Sequence, residues 1–315
     1  MPAGNQGLSA DARQFPVTAA AGRAAPAAPG RGLRSQRDGL GDGIPAVGLS
    51  WRLPDNASCA STARAHIRQA LADLQMPGEL IDDAAVAVSE LATNAWLHAL
   101  DAKPLAATAG PGAAAPELWV YRRGGPPDAE LVCGVFDTRR DVWPRARPDW
   151  SALLAEDTQL ADPQLDAILA DNAGNGHGLG IVAALSGTTG WHRTRSRSGA
   201  YPVPGKVIWF TMRIPDSSAA AQPPPERLTP DQAARTLTTL LTARGIPEPT
   251  HRHDTAQSAV SVMAALTVWC QAGAFQWQSR DGLERRAYSD LADTVEDVVR
   301  LHEDMTFAWA SAHVT

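Results

Sequence analysis

The segment from Glu79 to about Leu100 predicts a long helix that is apolar around nearly its whole circumference, and such a helix must be covered by other elements of the fold. One stripe carries small or branched apolar side chains suited to close packing on a sheet: Ile81, Ala85, Val88, Ala92, Ala95 and Ala99. Val86 and Leu97 extend the apolar character to the opposite side. A surface helix would be charged on that side, so this helix is predicted to be part of a core.

Two polar residues interrupt the opposite side of this helix. Glu90 and Asn94 are one turn apart and therefore share a face. A carboxylate and an amide are costly to bury unless a partner satisfies them. Two interpretations follow: a partly exposed edge where Glu90 pairs locally, or a ligand site that uses both side chains.

The flanking segments predict strands. GLSWRLP (48–54) is a short apolar run, and ELWVYRR (117–123) and ELVCGVFD (130–137) are rich in branched and aromatic residues. Two more strands are predicted at 190–196 and 205–215. With a helix from Ser58 or Asn56 to about Leu74, the sum is an α+β sandwich, one helical layer on a mixed, largely antiparallel sheet.

Composition divides the chain into four parts. Residues 1–47 are mostly Ala, Gly, Pro and Arg and are expected to be a disordered tail. The sandwich is assigned to 48–216 and a proline-rich linker to 217–228. Residues 229–315 are expected to form a small C-terminal α/β domain.

Within this C-terminal part we expect a helix from Asp231 to Ala243, stopped by Gly245. SAVSV and LTVWCQAGAFQWQ predict strands, the latter a hairpin in which Phe275 and Trp277 share a face. A helix over 289–304, with Ser289 as its cap, closes this part. His251 and His253 are interpreted as residues of a polar loop rather than metal ligands, because no further ligand accompanies them.

Bulk properties exclude several classes of protein. The formal charge of -6 argues against a general nucleic-acid binder, which needs clustered Lys and Arg. The three cysteines are far apart and form no CxxC pair, so we expect them to be reduced. The sequence shows no membrane-spanning run and no secretion signal, and a cytoplasmic location is therefore expected.

SELATNAWLHA (89–99) resembles the N-box of the GHKL ATPases, a Glu followed four residues later by an Asn on one helical face. The resemblance implies that Asn94 binds the Mg²⁺ of bound ATP and that Glu90 orients or deprotonates the attacking group. Both roles are chemically reasonable, since Mg²⁺ prefers oxygen ligands and a carboxylate can accept a proton.

A glycine-rich segment resembles the second motif of the same family, which closes over the triphosphate. It comprises Gly176, His177, Gly178, Leu179 and Gly180, and an apolar helical run follows. Glycines at a helix entrance let backbone N–H groups approach phosphates. Neither GxxxxGK[ST] nor a GxGxxG turn directly after a strand occurs, so the other common nucleotide motifs are excluded.

VFDTRRDVWP (135–144) occupies the position of the family's adenine-binding motif, and the resemblance assigns the adenine amino group to Asp137. Arg139 stands where the family normally has a glycine. The segment between Pro144 and Gly176 is longer than expected for this family and is interpreted as a lid, with a short helix around Pro163 to Ala170.

The resemblance covers 48–215 and is closest to the anti-sigma-factor serine kinases, whose fold is the Bergerat-type sandwich. It implies an ATP- and Mg²⁺-binding regulator that phosphorylates or sequesters an anti-anti-sigma-like or sigma-like protein partner. The alternatives are a nucleotide-gated binding module without catalysis and a scaffold with a degenerate site. The oligomeric state is left open, with a homodimer as one alternative, and no direct contact with nucleic acid or membrane is expected.

Overall fold

The computed structural model describes residues 48–100, 115–125, 128–138, 177–198, 201–215, 228–254, 256–280 and 282–312. The predicted tail, the lid with its short helix, Gly176, Arg139 and most of the linker lie outside these residues. The first half contains, in order, β1 (Leu49–Arg52), α1 (Cys59–Asp73), α2 (Gly78–Leu100), β2 (Glu117–Arg123), β3 (Glu130–Asp137), α3 (His177–Ala184), β4 (Thr189–Arg195) and β5 (Pro204–Arg213). The second half contains α4 (Pro230–Ala243), β6 (Thr250–His253), β7 (Ser258–Met263), β8 (Leu266–Gln271), β9 (Ala274–Gln278), β10 (Leu283–Ala287), a 3-10 turn (Tyr288–Asp290) and α5 (Leu291–Ala312).

The first sheet has the strand order β1-β2-β3-β5-β4. All of its described pairings are antiparallel, in agreement with the largely antiparallel sheet that was expected, and no parallel pair is found among them. The bounds predicted for β2 and β3 are confirmed to the residue. Successive side chains on a strand point to opposite faces, so this sheet has an inner face towards α1–α3 and an outer face on the other side.

The helical layer packs on the inner face through one apolar core. α1 contributes Cys59, Ala63, Ile67 and Leu71, and β3 contributes Leu131, Cys133 and Val135. The helix α1 starts where the sequence predicts, because Asn56 Oδ1 accepts hydrogen bonds from the backbone N and the Oγ of Ser58, at 2.8 and 2.6 Å. The Ser58 side chain itself makes no cap.

Helix α2 only partly matches the prediction of an apolar circumference. The small-residue stripe is confirmed, since Ala85, Val88, Ala92 and Ala95 are almost completely buried. On the other side, Val86 is 42% exposed and Leu97 is 40% exposed. The side that carries Glu90 and Asn94 is therefore more open than the sequence indicates.

The second sheet is an antiparallel meander in the order β10-β9-β8-β7-β6. Its buried face and the helices α4 and α5 enclose a second apolar core, which includes Phe275 and Trp277 as predicted. Ala272 and Gly273 connect β8 and β9 with φ of 49° and 75°, as expected for a tight hairpin turn. Because its pairings are antiparallel, this half is α+β and not the expected α/β type.

Two parts of the C-terminal half differ from the sequence interpretation. His251 and His253 lie in the edge strand β6 rather than in a loop. The final helix extends to Ala312, beyond the predicted end at 304, and a 3-10 turn precedes it. Gly245 does stop α4 as expected, with φ of 70° and its N–H bonded to Thr242 O.

All the described residues belong to one compact unit, Gly32–Thr315. Helix α5 lies between the two sheets: its valines join the second core, and its acidic side contacts the outer face of the first sheet. Among the described helices, none is long and apolar enough to cross a bilayer.

Candidate functional site

Gly178, in the first turn of α3, lies directly against Glu90 and Asn94 of α2. A Cβ placed on Gly178 would lie 2.7 Å from Glu90 Oε2 and 3.5 Å from Asn94 Nδ2. The first of these distances is shorter than real Cβ contacts, so a side chain at position 178 would displace the carboxylate. The structure therefore brings together three of the residues that the sequence selects, although Gly178 is 84 or more positions from the other two.

Glu90 and Asn94 are both half-buried. In the described part of the chain, neither side chain forms a hydrogen bond or an ion pair. The local pairing that was one interpretation of Glu90 is thus not seen among these residues. A half-buried carboxylate and amide that have no partner among the described residues can accept a ligand, because polar groups of the ligand would replace their contacts with water.

Helix α1 fixes the neighbouring part of α2. Arg64 donates a short hydrogen bond to Ser89 Oγ, next to Glu90 in the sequence. Cys59 Sγ contacts Ala92 O at 3.5 Å. These contacts, together with the apolar core, hold the backbone that carries Glu90 and Asn94.

The glycine-rich segment forms helix rather than the expected turn. His177, Gly178, Leu179 and Gly180 are the first four residues of α3, and the side chain of His177 lies outside the described residues. Leu179 packs against the first core. The N–H groups of a first helical turn have no acceptor within the helix and carry a partial positive charge. They therefore offer donors beside Glu90 and Asn94.

Asp137 ends β3 on the inner face of the first sheet, as expected, but it has an ionic partner that the sequence interpretation missed. Lys206 Nζ lies 2.8 Å from Asp137 Oδ1, and both residues are only 3% exposed. The two are direct cross-strand partners in β3 and β5. No hydrogen bond or ion pair joins Asp137 to Glu90 or Asn94.

The strand pairing at this point is unusually close. A Cβ on Gly205 would lie 2.2 Å from Asp137 O and 2.6 Å from the Phe136 ring. Only glycine fits here, and the close approach places Lys206 beside Asp137. The signal available in the sequence was a lone lysine after glycine in the otherwise apolar run GKVIWF.

A surface cavity of about 470 Å³ lies elsewhere on this half and includes Leu80, Leu185 and Met212 in its lining. None of the predicted site residues lines it. Among the described residues, no group of three His, Cys, Asp or Glu side chains is arranged to hold a metal ion. A metal near Asn94 would therefore depend on oxygen ligands from a bound phosphate and water.

No protein-family model matches the chain, and no curated protein sequence matches it.

Proposed function

We propose that the first half of the chain is a Bergerat-type ATP-binding sandwich and that the protein is a regulator related to the anti-sigma-factor serine kinases. One observation carries the proposal: a Cβ on Gly178 would lie 2.7 Å from Glu90 Oε2 and 3.5 Å from Asn94 Nδ2, so this glycine is next to both side chains. The three residues come from the two motifs whose resemblance implies a triphosphate site. Their proximity is the geometry that such a site requires.

The residues present suit a magnesium–triphosphate group. Gly178 lets α3 approach the Glu90 carboxylate closely, the first turn of α3 offers N–H donors, and Asn94 has an amide oxygen that can bind a metal. When bound, Mg²⁺ neutralises phosphate charge. Asn94 would supply its one protein ligand among the described residues, with the phosphates and water as the others.

In the catalytic form of the proposal, Glu90 is the general base. It accepts the proton of a Ser or Thr hydroxyl on the protein partner while the hydroxyl oxygen bonds to the γ-phosphorus and the bond to ADP breaks. The products are a phosphorylated partner and ADP. Glu90 lies beside the N-terminal turn of α3 and is therefore close to the N–H donors that would hold the phosphates.

We further propose that Asp137 and Lys206 lie beside the adenine base of bound ATP. The Asp137 carboxylate can accept from the amino group of adenine, and Lys206 orients it through their 2.8 Å ion pair. Both lie on the inner face of the sheet, the face covered by α2. This assignment depends on the ATP proposal and fails with it.

Titration with Mg-ATP tests the site. We expect binding by the wild type and a loss of at least about tenfold in affinity for Asn94→Ala, the size of one charge-assisted contact. Glu79→Gln is the matched control for Glu90→Gln, because Glu79 is an exposed glutamate of the same helix. Equal affinities of wild type and Asn94→Ala would contradict the proposal.

A phosphoryl-transfer assay distinguishes a kinase from a nucleotide-gated binding module. Phosphate that appears on an anti-anti-sigma-like partner, and is abolished by Glu90→Gln but not by Glu79→Gln, supports phosphoryl transfer. ATP binding that is unchanged in Glu90→Gln, without transfer in the wild type, supports a nucleotide-gated binding module. Absence of any Mg-ATP-dependent change in tryptophan fluorescence supports a scaffold.

A further inference from the structure

The outer face of the first sheet, opposite the proposed nucleotide site, is covered by α5 through charged and polar side chains. The residues that make these contacts are Tyr121, Arg123, His192 and Thr194 of the sheet and Arg197, which follows β4. From α5 come two acidic residues three positions apart, Asp293 and Glu296, which therefore share a face of the helix. The contact is thus a basic and aromatic surface against an acidic helix.

Glu296 is the centre of this contact and is 3% exposed. Its carboxylate lies 3.0 Å from Arg197 Nη2 and 3.1 Å from His192 Nε2, and it accepts a short hydrogen bond from Thr194 Oγ1. Arg244, from the C-terminal half, reaches the same carboxylate at 2.8 Å. Removal of this carboxylate would leave the buried cations around it without a counter-charge, which is strongly destabilising.

His192 is held in one tautomer by its two neighbours. Trp209 Nε1 lies 3.1 Å from His192 Nδ1, and an indole nitrogen only donates, so Nδ1 accepts. The proton of the neutral imidazole is then on Nε2, which donates to Glu296. The outer face thus presents an oriented donor to the acidic helix.

Further contacts extend along α5. Asp293 pairs with Arg123 at 2.9 Å, and Asp290, just before the helix, accepts from the backbone N of Gly124 at 3.0 Å. Towards the other end, Arg195 lies 3.3 Å from Glu303. The acidic side of α5 therefore contacts the first half of the chain over several helical turns.

Each half keeps its own apolar core apart from this contact. Val295, Val298 and Val299 of α5 belong to the second core and point away from the first sheet. The apolar part of the contact includes a buried cluster of Tyr121, Val132 and Ala292, and the Arg244 guanidinium lies 5.1 Å from the centroid of the Trp119 ring. Separation of the halves would expose this cluster together with the charged groups, which water can satisfy, and would leave the core under the helical layer and the core of the second sheet closed.

We propose that the outer face of the first sheet is a docking surface for an acidic helix, and that α5 occupies it as a releasable clamp. In the released state the C-terminal half leaves this face as a folded unit, with α5 still packed on the second sheet. Glu296 is the residue whose charge holds the clamp closed. The inference goes beyond the nucleotide proposal and does not require it.

The test uses the full chain without nucleotide and compares Glu296→Gln with Glu248→Gln, an exposed glutamate in the same half. In small-angle scattering, we expect the radius of gyration of Glu296→Gln to rise by about a tenth or more above that of the compact wild type. In calorimetry, we expect one unfolding transition for the wild type and two separate transitions for Glu296→Gln. Far-UV circular dichroism should be unchanged, and Glu248→Gln should behave as wild type.

Two outcomes would overturn the clamp. A Glu296→Gln protein with wild-type radius and a single transition would show that the carboxylate does not hold the halves together. A protein that loses helical signal would show that the halves fold only together. Asp304→Asn gives a graded check, because Asp304 is 39% exposed and lies 3.3 Å from Arg193, so its effect should be smaller.

Discussion

Lys206 Nζ and Asp137 Oδ1 lie 2.8 Å apart in the first sheet, and the two residues are direct cross-strand partners. Removing one charge of a buried pair leaves the other uncompensated, which costs about 3–5 kcal/mol. We therefore expect Lys206→Met to lower the free energy of unfolding by about this amount. Urea denaturation followed by circular dichroism measures it.

The double variant Asp137→Asn with Lys206→Met is the control for this prediction. It removes both charges, so its loss of stability should be clearly smaller than the sum of the two single losses. Additive losses would show that the two side chains are not energetically coupled.

Gly178→Ala is expected to abolish Mg-ATP binding while the protein stays folded. The added methyl group would lie 2.7 Å from Glu90 Oε2, so the carboxylate must move from its position beside α3. Gly78→Ala is the matched control, since a Cβ there meets no atom within 4 Å. Isothermal titration of both variants gives the comparison, and wild-type affinity in Gly178→Ala would argue against a phosphate site at this turn.

Glu296 is expected to make the protein acid-sensitive. Burial opposes its ionisation, but Arg244, the hydrogen bond from His192 and Arg197 hold the pKa of Glu296 well below its usual range. A carboxyl group whose native pKa is lowered stabilises the fold above its unfolded pKa, here near 4.5, and this stability is lost as the pH falls towards the native pKa.

Wild-type protein should consequently lose more unfolding free energy between about pH 5 and 3 than Glu296→Gln does, as measured by denaturant titration at each pH. Carboxyl groups common to both proteins contribute equally to the two curves. Parallel losses in the two proteins would exclude Glu296 as the source of acid sensitivity.

The three cysteines are expected to be unreactive in the native protein. All are free and buried. Burial raises the pKa of Cys59 to about 11, with a contribution from Asp55, and raises that of Cys270 to about 12. Burial also raises the pKa of Cys133. At pH 8 the reactive thiolate is therefore scarce, and a thiol reagent should label three groups only after denaturation. Rapid labelling of the native chain would contradict this burial.

The elements with clear patterns were predictable from the sequence. Both β2 and β3 consist of branched and aromatic residues, and their bounds match the prediction. The strands β6 and β10, THRH and LERRA, were missed because edge strands exposed to water carry polar residues and lack alternation. α5 was predicted too short, because the aromatic residues of its last turns, Phe307 and Trp309, are exposed.

For the candidate site, sequence order and helical spacing were enough to select Glu90, Asn94 and Gly178. The pairing of Lys206 with Asp137 depends on the register between β3 and β5, which lie far apart in the chain, and local patterns do not encode it. The acidic side of α5 was visible only as amphipathic character. What it contacts depends on how the two halves pack.

Both faces of the first sheet are packed, because β3 presents Val135 and Asp137 to the helical layer and Phe136 to the opposite side. An insertion of one residue in β3 would exchange these two sets of side chains and disturb both layers together. During divergence, length changes in this part of the protein should therefore accumulate in the connecting segments, while β3 and β5 keep a constant length.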